Sequence, residues 1–184
     1  GSLFMHPTNP DVLLAGTGNN QYHQNAGAYL TVDGGATWEQ VIRNDIIASV
    51  EFSEADPNIA YAGSADSIYR SDDGGKNWNN LSGEPGQGWG MPGVRAGFPI
   101  DFQVDPRDPD RIFANNYGGG NFLSEDGGRT WKNASAGYTG AQTRDIVVDP
   151  VEPARVLVVA RSGIFISLDG GNQWEGISYP PVAV

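Results

Sequence analysis

The chain has no cysteine in its 184 residues. Disulfides, thiolate metal sites and cysteine nucleophiles are thereby excluded together, although the compartment is not identified. No apolar run approaches the roughly 18 residues of a membrane-spanning helix, so no membrane insertion is expected. Positive charge is scarce, with 11 Lys and Arg against 22 Asp and Glu and a net charge of −11. Such a surface repels phosphate backbones, which argues against nucleic acid and anionic membranes as partners. A sustained 3.6-residue apolar period is also missing, which predicts almost no helix. The two histidines, His6 and His23, stand in unlike contexts without metal-ligand spacing. Gly-x-Ser-x-Gly and phosphate-loop patterns are absent, no cofactor is implied, and no signal peptide is visible.

Glycine and proline are abundant, at 26 and 12 residues, as suits many short strands joined by tight turns. They are organised by a repeat. Thr31-Val-Asp33-Gly34-Gly35-Ala-Thr37-Trp38 returns as Ser71-Asp-Asp73-Gly74-Gly75-Lys-Asn77-Trp78 and as Ser124-Glu-Asp126-Gly127-Gly128-Arg-Thr130-Trp131. The last copy is Ser167-Leu-Asp169-Gly170-Gly171-Asn-Gln173-Trp174. The aspartates recur at intervals of 40, 53 and 43 residues, a period suited to a four-stranded propeller blade. A second element precedes each copy: His6 to Asp11, Ser53 to Asn58, Asp105 to Asp110 and Asp149 to Ala154, each with a proline at its fifth position. Proline cannot donate to a strand ladder, so these segments read as turns. Each unit then parses as four strands. Strand A precedes the proline turn, as in residues 46–52, and strand B follows it. Strand C enters the Asp-Gly-Gly turn, and strand D starts at the tryptophan. The expected organisation is one all-β propeller segment over 1–184, with blades near 1–44, 45–82, 98–135 and 143–179 and an inserted loop at 83–97.

Asp33, Asp73, Asp126 and Asp169 can accept hydrogen bonds from turn N–H groups, while Gly-Gly supplies positive φ. Trp38, Trp78, Trp131 and Trp174 can bury large rings against their own blades. A calcium loop is the alternative, suggested by Asp72 and Asp73, but no Glu closes a loop of the required length. The residues resemble the Asp-box or BNR repeat, S/T-x-D-x-G-x-T-W, of xyloglucanase-type glycoside hydrolases, sialidases and sortilin-like propellers. Thr31, Asn77 and Gln173 depart from that pattern. The resemblance implies a β-propeller, a structural role for the Asp-box away from the ligand site, and an extracellular or periplasmic location.

In a repeat protein function sits where one copy departs from the others. Between strands B and C of the first unit, a polar stretch holds Tyr22 and His23, suited to sugar hydroxyls or a peptide; a solvated hairpin is the alternative. The insertion after the second unit carries Trp89 among glycines, with Arg95 nearby. Trp89 reads either as a stacking platform for a sugar ring or as a ring folded back to cap the loop. Asp101 and Asp145 hold equivalent strand A positions, where the other units have Ser2 and Ser49. Facing one pocket about 5–9 Å apart, they would satisfy a glycosidase acid/base pair; the alternative is structural pairing with Arg95 or Arg144. Tyr117 and Arg144 complete the candidate ligand-binding set.

The sialidase resemblance lacks the Arg-bearing N-terminal motif, for which Arg95-Ala-Gly-Phe-Pro is a poor match. The xyloglucanase resemblance implies aspartates in Asp-x-Gly-Gly hairpins between strands B and C, one in each of two propellers. Only Asp66 carries over, without the paired glycines. The expected function is therefore a non-catalytic propeller that binds carbohydrate or protein through loops on one face, with a glycoside hydrolase using paired aspartates as the alternative. Four units are expected to be completed by a second copy or by further blades of a longer chain.

Overall fold

The computed structural model describes residues 1–19, 22–64, 66–82, 89, 99–116, 120–137, 143–160 and 163–177, with backbone alone at 19, 22, 23, 99–101, 116, 143 and 144. Among them there is no helix. Sixteen strands form four antiparallel sheets in chain order. Sheet 1 holds β1 (Ser2–Met5), β2 (Leu13–Asn19), β3 (Tyr22–Thr31) and β4 (Glu39–Arg43). Sheet 2 holds β5 (Ser49–Phe52), β6 (Ala60–Gly63), β7 (Ile68–Ser71) and β8 (Asn79–Asn80). Sheet 3 holds β9 (Pro99–Asp105), β10 (Asp108–Asn116), β11 (Asn121–Ser124) and β12 (Lys132–Asn133). Sheet 4 holds β13 (Thr143–Val148), β14 (Val156–Ala160), β15 (Gly163–Ser167) and β16 (Glu175–Gly176).

Two boundaries differ from the pattern-based expectation. Strand A of the second unit starts at Ser49 rather than at residue 46, because the Ile47 N–H bonds Thr17 O of sheet 1 instead of its own partner strand. In the third unit strand B begins inside the proline element, at Asp108, which pairs with Asp105 across a tight reversal. The fourth strand of every sheet starts at the residue after the tryptophan.

The register repeats. Phe4, Glu51, Gln103 and Val147 pair with Leu14, Tyr61, Phe113 and Leu157, so these residues hold equivalent places on one face of each sheet. Because side chains alternate along a strand, the intervening positions point to the other face. The first strands of successive sheets lie side by side, β1 with β5, β5 with β9 and β9 with β13. The apolar core is accordingly split into three seams. Leu14, Ala28 and Leu30 of sheet 1 meet Val50, Phe52, Ala60 and Ala62 of sheet 2. Tyr61 and Ile68 meet Phe102, Val104, Ile112 and Phe122. Phe113 and Leu123 meet Ile146, Val148, Val156 and Val158. Each large side chain buried in this way contributes about 1.5–3 kcal/mol relative to exposure. Among the described residues β13 makes no comparable contact with β1, so the four sheets form an open arc.

Candidate functional site

Antiparallel order divides the connections between two ends of the molecule. Proline turns and Asp-boxes share one end; hairpins between second and third strands, and links between sheets, share the other. At the first end the two recurring sequence elements are bonded to each other. The N–H of the first box glycine donates to the last residue of the proline element in every sheet: Gly34 to Asp11 O, Gly74 to Asn58 O, Gly127 to Asp110 O and Gly170 to Ala154 O, at 2.7–2.8 Å. Within each box the aspartate accepts from the Ser or Thr hydroxyl (Ser71 Oγ to Asp73 Oδ1, 2.8 Å) and from a backbone N–H four residues on (Asn77 N, 2.8 Å). The hydroxyl in turn accepts from the second glycine, as in Gly75 N to Ser71 Oγ at 2.9 Å. Thr37, Asn77 and Thr130 add side-chain bonds to the same carboxylates, and Gln173 contributes its backbone N–H. Indole N–H groups of Trp38, Trp78 and Trp131 donate to Gly35, Gly75 and Gly128 carbonyls, whereas that of Trp174 crosses to Ala134 O of sheet 3.

These bonds favour the ionised form. The Thr37 side chain, followed by its N–H, holds Asp33 at about 2, and the Asn77 N–H followed by its side chain holds Asp73 at about 2. For Asp126 burial opposes the shift, but bonds from Thr130 outweigh it; Asp169 is lowered chiefly by the Gln173 N–H. The four carboxylates are occupied in fastening their own turns. Among the described residues no cluster of three or more His, Cys, Asp or Glu is placed to hold a metal ion.

Among the described residues, connectivity puts Tyr22, His23, Asp66, Asp101, Arg144 and Asp145 toward the opposite end. Asp66 lies between β6 and β7, half-buried, its N–H 3.4 Å from Ser64 Oγ. Asp145 is exposed on β13, paired with Val159. Asp101 lies on β9, which neighbours β13, and pairs through its backbone with Asn115 of β10, while its side chain lies outside the described residues. The separation of the two carboxylates is thus also outside them. Tyr22 closes the β2–β3 hairpin opposite Asn19, and His23 follows it, both described by backbone alone. The same holds for Arg144, and Arg95 and Tyr117 lie wholly outside the described residues. Below that hairpin, Tyr29 Oη donates to Asn25 O at 2.7 Å and Thr17 Oγ1 to Gly27 O at 3.1 Å, so the hairpin base is pinned.

Trp89 is placed as the folded-back alternative describes. Its ring is 3% exposed and packs edge-on against Phe122 and Trp131, with centroids 5.5 and 5.2 Å away, in the seam between sheets 2 and 3. A stacking platform needs an open face, which this ring does not offer.

Sequence reasoning missed two polar links across seams. Arg70 is buried, donating to Tyr61 Oη at 2.7 Å, to Asp72 at 2.7 Å and to Asp110 of sheet 3, and lies 5.6 Å from the Tyr61 ring centroid. Burial raises the Tyr61 phenol well above its ordinary range. Glu51, also buried, accepts from Gln103 Nε2 at 3.1 Å and Val104 N at 3.0 Å. The signal was available in the register: Arg70 holds the column of Leu30, Leu123 and Ile166, and Glu51 that of Phe4 and Val147.

Comparison with known proteins agrees with this geometry. The BNR/Asp-box repeat model matches residues 69–80. An oligoxyloglucan-reducing end-specific xyloglucanase of Emericella nidulans is 31% identical over 85 residues, covering 43% of this chain and 10% of that protein. An ancestral GH74 enzyme superposes with a TM-score of 0.74 at 17% identity, over 100% of this chain and 24% of its own. YCF48 bound to D1 peptide gives 0.54 at 15% identity, over 97% of this chain and 68% of its own. The chain thus spans a small part of the hydrolases it matches. It is an all-β chain of Asp-box repeats with a propeller fold, similar in sequence to a xyloglucanase and in fold to GH74 enzymes and YCF48.

Proposed function

We propose that the chain is a non-catalytic binding or scaffold propeller that recognises carbohydrate or protein through the loops opposite its Asp-boxes, outside the cytoplasm. The blade divisions near 1–44, 45–82, 98–135 and 143–179, with 83–97 inserted, belong to the same reading. The observation that carries it is the asymmetry of the two ends. One end repeats the same backbone bond four times. The other varies in every sheet, from the four-residue strands β6 and β7 to the extended β2–β3 hairpin of seven and ten residues. Rigid blades with variable loops are how binding sites are built on repeat folds. Two similar proteins support the ligand classes: one is a xyloglucanase and another holds a peptide. The net charge of −11 favours neutral glycans or basic peptides over anionic ligands.

A glycoside hydrolase is the second reading, favoured by the 31% identity to a xyloglucanase. It requires Asp101 and Asp145, or Asp66, to act as a pair on one glycosidic bond. A glycan and peptide array run with a xyloglucan hydrolysis assay separates the two. Binding without turnover, weakened by Tyr22→Ala, His23→Ala or Tyr117→Ala, supports the binding module. Turnover abolished by Asp101→Asn or Asp145→Asn overturns it in favour of the hydrolase.

A further inference from the structure

One row of paired residues in sheet 3 breaks the repeat. At the end opposite the Asp-boxes, Asp101 of β9, Asn115 of β10 and Asn121 of β11 are paired in a single row. The corresponding rows are Ser2, Gly16 and Ala28 in sheet 1, Ser49, Gly63 and Ile68 in sheet 2, and Asp145, Val159 and Ile164 in sheet 4. Sheet 3 alone has a polar residue at all three places. Side chains alternate along a strand, so Asn115 and Asn121 share the face of Phe113 and Leu123, which pack on Ile146 and Val148 in the seam with sheet 4. Both asparagines are 0% exposed.

Asn121 is the decisive member. Its backbone is fastened: the N–H donates to Ser135 Oγ at 2.8 Å, and the carbonyl accepts from the Ala134 N–H at 2.8 Å and from Ser135 Oγ at 3.1 Å. Sheet 2 holds Ile68 in the same manner, through Ser82 Oγ and the Leu81 N–H. On this common backbone Ile68 fills its seam with an apolar side chain, whereas neither Oδ1 nor Nδ2 of Asn121 has a hydrogen-bond partner among the described residues. An apolar seam is weakened by an amide whose donor and acceptor are both unmet, and an aliphatic side chain would be more stable there. Residues that break a local rule at a cost to stability concentrate at functional sites. The ladders on both walls of the seam are also interrupted at this level, between Asn115 and Asn116 in sheet 3 and between Thr143 and Asp145 in sheet 4. Bulges of this kind disrupt local pairing and are over-represented beside active sites.

We propose that the mouth of the seam between sheets 3 and 4 is a subsite for a neutral sugar residue, with Asn121 binding its hydroxyls. The subsite rests on the reading of the loop end as a ligand surface and narrows the ligand class. A hydroxyl both donates and accepts, so two neighbouring hydroxyls complete the Oδ1 and Nδ2 of one amide. An extended peptide has no equivalent hold, because Asn115 and Asn121 stand on interior strands that offer no free edge for strand addition. The net charge of −11 disfavours anionic ligands. Because Asn121 is enclosed, the sugar enters by parting the seam mouth, and the unmet amide lowers the cost of that opening.

Isothermal titration of the 184-residue chain with cellotetraose and with a xyloglucan oligosaccharide, beside a peptide array and urea denaturation, tests it. The wild type is expected to bind an oligosaccharide. Asn121→Leu is expected to weaken that binding by about tenfold or more, as the loss of two hydrogen bonds implies, and to raise the urea midpoint. If leucine overfills the site, Asn121→Val gives the same reading. Three outcomes overturn the proposal. A wild type that binds peptides alone, or neither class, removes the sugar, and in the second case the ligand reading of the loop end with it. Oligosaccharide binding that is lost in Tyr22→Ala but unchanged in Asn121→Leu and Asn121→Val keeps the loop end and removes the subsite. A lowered midpoint with unchanged binding in both Asn121 variants means that the amide serves an enclosed water and not a ligand.

Discussion

Substituting alanine at the second glycine of each Asp-box separates backbone strain from seam packing. Gly35, Gly75, Gly128 and Gly171 have φ of +93°, +85°, +86° and +87°. The conformational cost of a Cβ in this left-handed region is therefore common to all four, about 1–2 kcal/mol each. The surroundings differ. A Cβ at Gly35 finds nothing nearer than its own Trp38 at 3.8 Å. At Gly128 it would touch Ile68 Cγ2 and Leu81 Cδ1 at 3.4 Å, and at Gly75 it would press Leu14 Cδ2 at 3.1 Å. At Gly171 it would fall within 3.0 Å of the Phe113 ring edge. That ring is fully buried, and the Arg111 guanidinium lies 5.4 Å from its centroid, so it has little room to swing. Overpacking of this kind costs about 1–3 kcal/mol. Gly171→Ala should thus lose about 1–3 kcal/mol more than Gly35→Ala, with Gly128→Ala and Gly75→Ala between them in that order. At about 2–4 °C per kcal/mol for a chain of this size, the two extremes separate by several degrees in Tm. Urea denaturation followed by tryptophan fluorescence reads the series. Equal losses at Gly35 and Gly171 would refute the packing of box on neighbouring sheet as the basis of the seams.

The box carboxylates predict acid sensitivity of a definite sign. Asp33 and Asp73 sit at about 2 in the fold against an ordinary 3.8, so their contribution to stability is complete above the unfolded value and is lost as pH falls from about 4 toward 2. The urea midpoint should fall across that window, and Asp33→Asn/Asp73→Asn should shallow the fall; a wild-type midpoint unchanged down to pH 2 contradicts the bonding scheme. Trp89→Ala removes a buried ring from the seam between sheets 2 and 3 and should cost about 3–5 kcal/mol by denaturant titration. A loss below about 1 kcal/mol would return Trp89 to the surface role that its glycine-rich context suggested.

The fold was legible because two elements recur and each has a local physical meaning. Proline excludes itself from a ladder, and Asp-Gly-Gly demands a tight turn, so strand order followed from their alternation. The bond that joins the elements, Gly34 to Asp11 and its three counterparts, was not legible, since it runs between backbone atoms and leaves no mark on residue type. Trp89 shows a different limit. Glycines around an aromatic ring describe a chain that can turn, but they do not say whether the ring turns outward or into a seam. Arg70 was hidden for a third reason. A basic residue in a strand reads as solvent-facing until register places it in the column of Leu30 and Leu123, against Tyr61 and Asp110.

That column clarifies how the arc divides stability from recognition. Within a sheet, the positions facing a seam are interchangeable only with residues that satisfy the neighbour: Arg70 persists in an apolar column because Asp110 of the next sheet and Tyr61 of its own complete its bonds. At the end opposite the Asp-boxes no box bond recurs, although Ile47 and Trp89 of the links between sheets are themselves buried in seams. Under the proposed binding role, loop residues outside the seams are free to set ligand preference while the seams stay fixed, and losses of binding and of stability are expected to map to separate sets of residues along the same strands.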